Sequence, residues 1–306
     1  MSEQSSTDVT VGGLLRTATE QLRASGSEST RLDAELLLAH ILDVERTTVL
    51  AHPEVPVGSG ARAAYGAAVE RRSAGEPVAY IRGLKEFYGL AFTVDARALI
   101  PRPETERVVD LALDRVRRAL TAAPRRAGKP PYRLWDVGTG CGAIAIALAV
   151  TLARRGYAEA VAITATDRSA EPLALAVENA VAHAVADAID FAKGDLLAVP
   201  DAPTSVDLIV ANLPYIPSLD VPGLPIAASF EPVAALDGGP DGLASIRRLL
   251  AMLPAALTER GTALLEIGAE QAAAALHAAA SALPGWPAGI EADLSGQPRV
   301  LVVERP

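Results

Sequence analysis

Residues 133–149, Arg-Leu-Trp-Asp-Val-Gly-Thr-Gly-Cys-Gly-Ala-Ile-Ala-Ile-Ala-Leu-Ala, constrain this chain more than any other stretch: an apolar run meets three closely spaced glycines and continues as an Ala-rich helical pattern. The pattern predicts a strand, a tight turn and a helix. Gly138, Gly140 and Gly142 lack a Cβ, so they tolerate positive φ and let a ligand lie against bare N–H groups at the positive end of the helix. The spacing fits G-x-G-x-x-G/A with Ala143 last, which alone admits either a nicotinamide dinucleotide or S-adenosylmethionine.

A second motif separates the two. Val206–Ala211 reads as a buried strand running straight into Asn212-Leu213-Pro214-Tyr215. Methylating a planar nitrogen requires its partly delocalised lone pair to be aimed at the methyl donor, which calls for acceptors that grip its N–H hydrogens. The Asn212 side-chain oxygen and the carbonyl of Leu213 or Pro214 can accept, Pro214 stiffens the loop, and Tyr215 offers a flat face. A glycine turn followed by a strand ending in Asn-x-Pro-Tyr resembles the amino-methyltransferases that use S-adenosylmethionine. A nicotinamide dehydrogenase would leave the second motif without a role.

Composition narrows the setting. With 306 residues, half of them hydrophobic, the chain can bury one large domain and one small one. The net charge of −9 argues against a broad nucleic-acid footprint, so no stable nucleic-acid partner is expected. Cys141 is the sole cysteine, so neither an internal disulfide nor a cysteine-based cluster can form, and a small side chain tolerated between glycines is its simplest role. The four histidines, at 40, 52, 183 and 277, lack ligand spacing, so no metal is expected. The polar start Met1–Asp8 lacks a signal-peptide pattern and no long uninterrupted apolar run follows, so a cytoplasmic protein free of membranes is expected.

Residues 1–84 read as a small helical bundle. Thr10 can cap a helix over 11–24, Ser29 or Thr30 one over 31–42 with Leu32, Leu36, Leu37 and Ile41 on one face, and a third spans 59–73. A β-hairpin is expected within 78–95, making 85–100 a linker to a catalytic domain over 101–306. Pro101 and Pro103 rigidify the entry to a helix over 107–120 and so place Arg102, Glu104 and Thr105 predictably. Thr121–Pro131 reads as a solvated loop. Beyond the glycine turn, strands alternate with helices, predicting a mainly parallel sheet covered on both faces. Strands two and three end in Asp167, suited to a ribose diol, and Asp195, suited to an adenine amino group with Leu196 against the ring. A long Pro/Gly-rich loop fills 216–242, and 290–294 and 300–303 pair plausibly as a closing hairpin.

Together, Arg31–Leu38, Pro77–Ile81, Glu86-Phe87, Ile100–Glu106, Asp136–Gly142, Asn212–Tyr215, Phe230–Pro232 and Leu236–Gly239 resemble the bacterial peptide chain release factor glutamine methyltransferases, and the resemblance covers nearly the whole chain. It implies a Rossmann-like class I methyltransferase fold, α/β, with a mainly parallel seven-stranded sheet. The reaction implied moves a methyl group from S-adenosylmethionine to the side-chain amide of the Gly-Gly-Gln glutamine in class I release factors, with the helical domain docking that partner to a monomeric enzyme. The cofactor contacts implied are Asp136, Gly138, Thr139, Gly140, Cys141, Gly142, Asp167, Asp195, Leu196 and Asn212. Substrate contacts fall to Asn212, Leu213, Pro214 and Tyr215, with Arg102, Glu104 and Thr105; Asn212, Pro214 and Tyr215 carry the chemistry. One departure stands out: the family usually shows Asn-Pro-Pro-Tyr, and Leu213 replaces its first proline, as in the adenine dimethyltransferases of ribosomal RNA, which lack the helical domain. Alternatives are a ribosomal-protein glutamine or a nucleic-acid adenine as the methyl acceptor.

Overall fold

Backbone contacts divide the chain into two units, one of residues up to Leu84 with Pro225–Phe230, the other of Lys85–Leu224 with Glu231–Pro306. The structure is a computed structural model that describes residues 9–122, 130–200 and 205–306. Most of the predicted 121–131 loop, and the polar start, lie outside the described residues.

The first unit is helical: α1 (Val11–Ala24), α2 (Thr30–Leu42), α3 (Arg46–Ala51), α4 (Ser59–Ser73) and α5 (Val78–Arg82). Thr10 caps α1 as expected, its hydroxyl oxygen accepting from the Gly13 N–H at 3.2 Å. Two expectations for α2 need correction. Ser29 does not cap with its side chain but donates its hydroxyl to Asp33, and the buried face runs through Ala34, Leu37, Leu38 and Ala39 while Leu32 is 42% exposed. The helix is turned because Asp33 and Glu35 are themselves buried, Asp33 paired with Arg72 and Glu35 with Arg31 and Arg46. Val78–Arg82, expected as the start of a hairpin, is a helical turn. Pro77 precedes it and Gly83, at φ +67°, ends it, and five residues are too few for a 3.6-residue period to register in the sequence.

The hairpin, β1 (Leu84–Phe87) with β2 (Leu90–Thr93), leads into the second unit. Then come α6 (Glu106–Ala122), β3 (Tyr132–Val137), α7 (Ala143–Arg154), β4 (Val161–Asp167), α8 (Ala170–Ala182), β5 (Ile189–Lys193) and β6 (Val206–Ala211). The unit ends with α9 (Ala244–Ala256), β7 (Leu257–Glu266), α10 (Ala272–Ala282), β8 (Ala288–Ala292) and β9 (Pro298–Glu304). One seven-stranded sheet results, ordered β5-β4-β3-β6-β7-β9-β8, parallel except that β9 runs antiparallel to both neighbours. The helices pack as two groups, α6 on α7 and α9 on α10, which covers both faces. Its core is aliphatic around a fully buried Trp135, as expected of a chain with 4% aromatics.

Register positions the site. Val137 lies beside Ala211 and Ala211 beside Leu265. The next residues, Gly138, Asn212 and Glu266, therefore leave three adjacent strands at one level. Among the described residues no helix is long and apolar enough to cross a membrane.

Candidate active site

The turn after β3 is held by its own backbone. Gly138, Gly140 and Gly142 have φ of +74°, +57° and +85°, conformations an L side chain resists. The N–H groups of Gly138 and Thr139 both donate to the Thr166 carbonyl at 2.8 Å, tying the turn to β4. Asp136 lies beneath, fully buried; its Oδ2 accepts from the Thr139 hydroxyl at 2.7 Å and the Ala145 N–H at 3.1 Å, while Oδ1 has no partner. Burial pushes its carboxyl up to about 7. The three glycines differ in use. A Cβ on Gly140 would meet nothing within 4 Å, whereas one on Gly142 would lie 3.2 Å from the Ala176 backbone, so Gly142 lets α7 approach α8. Cys141 is buried, its thiol pushed up to about 12, which makes it inert and agrees with the packing role.

The turn after β6 is held by side chains from elsewhere. Asn212 Nδ2 donates to the Thr105 hydroxyl at 3.0 Å, and that hydroxyl stands close enough to Glu266 to draw its carboxyl down. The Tyr215 hydroxyl sits 3.4 Å from Glu266 Oε1. Gly238 and Gly242 of the long loop fit beneath: a Cβ on the first would come 2.6 Å from the Pro214 carbonyl oxygen and one on the second 2.1 Å from that of Tyr215. Gln271 Nε2 also donates to the Tyr215 carbonyl, at 2.8 Å. The Leu236-Asp-Gly-Gly motif is thus a bed for the Asn-Leu-Pro-Tyr backbone. Leu213 is buried, and its Cδ2 would lie 2.9 Å from a Cβ on Gly138, so the leucine closes one turn against the other.

Between the turns lies a cavity of about 240 Å³. It brings together Thr105, Gly138, Thr139, Gly140, Cys141, Asp167, Asp195, Leu196, Asn212, Leu213 and Pro214. Its lining does not include Asp136, Gly142, Tyr215, Arg102 or Glu104. Asp136 and Gly142 support the turn from beneath, and Tyr215 turns its hydroxyl to Glu266. Arg102 is taken by the buried Glu231 at 2.5 Å, whose other oxygen accepts from the Ile100 N–H at 3.0 Å, so the Phe230-Glu-Pro motif anchors the proline-rich entry. Glu104 is exposed. Asp167 accepts from the Gly140 N–H at 3.1 Å and the Ser169 N–H at 2.9 Å, using one lone pair on each oxygen and keeping one. Asp195 pairs with Arg248 at 2.5 Å on the rim.

Contributors unread in the sequence include Glu266, Arg248, Asn179, Gln271 and the segment Ala96–Leu99. Glu266 carried the same signal as Asp167 and Asp195, an acid closing an apolar strand. Asn179 is a buried amide on a helix whose other polar side chains are Glu171 and Glu178, fully used in joining the Cys141 carbonyl at 2.9 Å to the backbone of Thr93 at the end of β2.

Comparison with known proteins bears on both units. Residues 13–83 match the PrmC N-terminal domain family, and residues 111–223 match the RMKL-like methyltransferase domain family. A release factor glutamine methyltransferase of Deinococcus radiodurans is 39% identical over 295 residues, 95% of this chain and 97% of that protein. The chain belongs to the release factor glutamine methyltransferase family. Another release factor glutamine methyltransferase, from Vibrio cholerae, is 40% identical over 267 residues, 87% of each chain. Among solved structures, the catalytic domain of human Mettl16 with an RNA hairpin has a TM-score of 0.53 at 16% identity, covering 81% of this chain and 83% of that one, a likeness of fold. The sheet order and covering helices are those of a Rossmann-like class I methyltransferase.

Proposed function

We propose that this chain methylates the side-chain amide nitrogen of the glutamine in the Gly-Gly-Gln loop of class I peptide chain release factors, with S-adenosylmethionine as donor. One observation carries the reading: Asn212 spends its NH2 on Thr105, which leaves its Oδ1 as an acceptor on a cavity shared with the glycine turn. Family membership supports the substrate class.

The residues present fit the donor. Gly140 has open space where a Cβ would stand, the Asp136 carboxyl has an unpartnered oxygen beneath the turn, and Asp167, Asp195 and Leu196 line the same cavity. The glycine turn, open at Gly140 and steadied from beneath by Asp136, would receive the amino-acid end, Asp167 the ribose, and Asp195 with Leu196 the adenine. When bound, S-adenosylmethionine supplies an electrophilic methyl on a sulfonium, which the amide nitrogen takes as the C–S bond breaks and one N–H proton is lost to solvent.

The chain's part is orientation. Asn212 Oδ1 accepts one N–H of the substrate amide. The Pro214 carbonyl lies over Gly238, so the Leu213 carbonyl is the second acceptor. Gripping both hydrogens fixes the amide plane and aims its lone pair. A monomeric, cytoplasmic enzyme accompanies this reading.

Labelled S-adenosylmethionine incubated with a purified bacterial release factor, beside the same factor with its Gly-Gly-Gln glutamine changed to alanine, tests the proposal. Label on the first and not the second is expected. Equal label on both, or label only on a ribosomal protein offered in parallel, would overturn it.

A further inference from the structure

Glu266 has no role in the reading above, yet its setting is unusual. It closes β7, is fully buried, and leaves Oε2 without a hydrogen-bond partner. Two hydroxyls face it, those of Thr105 from the turn before α6 and Tyr215 from the loop after β6, while Arg299 of β9 and Glu104 act on it electrostatically. The Thr105 oxygen also has Asn212 Nδ2 at 3.0 Å.

A hydroxyl carries one proton. When Thr105 donates that proton to the Glu266 carboxylate, its oxygen can only accept from the Asn212 amide. The NH2 of Asn212 is then committed to Thr105, and Oδ1 is the atom left for the cavity. We propose that Glu266 is a positioning residue that, through Thr105, sets the donor and acceptor sense of Asn212 and so presents an acceptor to the substrate amide. This rests on the reading that Asn212 receives the amide.

Protonating Glu266 reverses the chain. Its O–H donates to Thr105, Thr105 donates to Asn212 Oδ1, and the NH2 turns toward the cavity, where it meets the N–H groups of the substrate. Two donors face each other and the amide is not held. Turnover therefore requires the ionised carboxylate. Burial pushes the Glu266 carboxyl up to about 7 and Glu104 adds to this, against the two hydroxyls and Arg299. A carboxylate buried against a single strong partner would be set permanently; this one, buried with one oxygen unpartnered, is pushed to where it can gate the reaction.

The test compares the full-length wild type with Glu266→Gln, Thr105→Val and Thr105→Ser on an intact release factor, recording kcat and KM against pH and the calorimetric Kd for S-adenosylmethionine. Wild-type kcat, taken at saturating S-adenosylmethionine so that the Asp136 ionisation falls on cofactor binding, is expected to rise with pH through one ionisation near 7 and then level. Glu266→Gln should lower kcat about 10²-fold and abolish that acidic limb, with Kd for S-adenosylmethionine within about threefold. Thr105→Val should lose the limb and Thr105→Ser, which keeps the hydroxyl, should retain it; this pair decides the matter if Glu266→Gln does not fold. An acidic limb that survives in Glu266→Gln or in Thr105→Val, on an enzyme that methylates the release factor, would overturn the positioning role and leave the proposed function standing. A wild type that transfers no methyl to the release factor would overturn both.

Discussion

The turns after β3 and β6 lie side by side at one level of the sheet, yet they are built in different ways. The first is local: its shape comes from glycines at positive φ, two N–H bonds to the neighbouring strand, and an aspartate two residues upstream. The second is convergent, since Asn212 is oriented by Thr105, the Pro214 and Tyr215 backbones rest on Gly238 and Gly242, and Tyr215 is held by Glu266 at the end of β7 and by Gln271 beyond it. A turn that cradles an invariant cofactor can be encoded in one short segment. A turn that must present one atom of one side chain needs restraint from several elements that the chain reaches far apart in sequence.

Disabling the convergent turn should give the largest effect. Asn212→Ala removes the proposed acceptor and should lower kcat by the equivalent of about 2–4 kcal/mol of transition-state stabilisation, measured by steady-state methylation; near-normal turnover would contradict the role given to Asn212. Gly238→Ala drives a Cβ to 2.5 Å from the Gly242 carbonyl oxygen and 2.8 Å from Tyr215 Cα. All of these are backbone atoms, so about 3 kcal/mol of stability should be lost on denaturant unfolding, and turnover should suffer more than cofactor affinity. Gly142→Ala is the counterpart in the local turn: at φ +85° and 3.2 Å from the Ala176 backbone it should cost about 2 kcal/mol, with cofactor affinity suffering more than turnover at saturation.

The smallest effect concerns what the two turns share. Asp136 and Glu266 are both buried carboxyls pushed up to about 7. A raised carboxyl pKa means that the folded state holds the proton more tightly than the unfolded chain does. Both groups therefore lower stability progressively as pH rises from about 4 to about 7, and add nothing further above that. Melting temperature of the ligand-free protein should fall across that window, and the fall should shrink in Asp136→Asn. A profile unchanged by that substitution would show that Asp136 is ionised in the fold.

The same contrast explains what could be read from sequence. The glycine turn, strands β3 to β7 and the acids Asp167 and Asp195 were legible because each is a local pattern of period, small residues or a terminal acid. Asn-Leu-Pro-Tyr was legible as chemistry, but its supports were not, because Glu266 comes beside Asn212 only through the register of β6 and β7, and Thr105 reaches Asn212 from the turn before α6. Arg102 looked free to meet a substrate, and only the fold brings Glu231 to it. Leu32 misled because the α2 face was judged on hydrophobicity alone, while paired acids at 33 and 35 claim the interior.

Calorimetric titration of S-adenosylmethionine into Asp136→Asn and Asn212→Ala, each paired with kcat on the release factor, tests most directly whether the two turns divide the work. Asp136→Asn should weaken cofactor binding by about 10- to 100-fold by loosening the Thr139 and Ala145 bonds that shape the turn, while Asn212→Ala should move Kd by less than about threefold and carry its loss in kcat. Equal losses of affinity in both variants would contradict the division and make the two turns a single site.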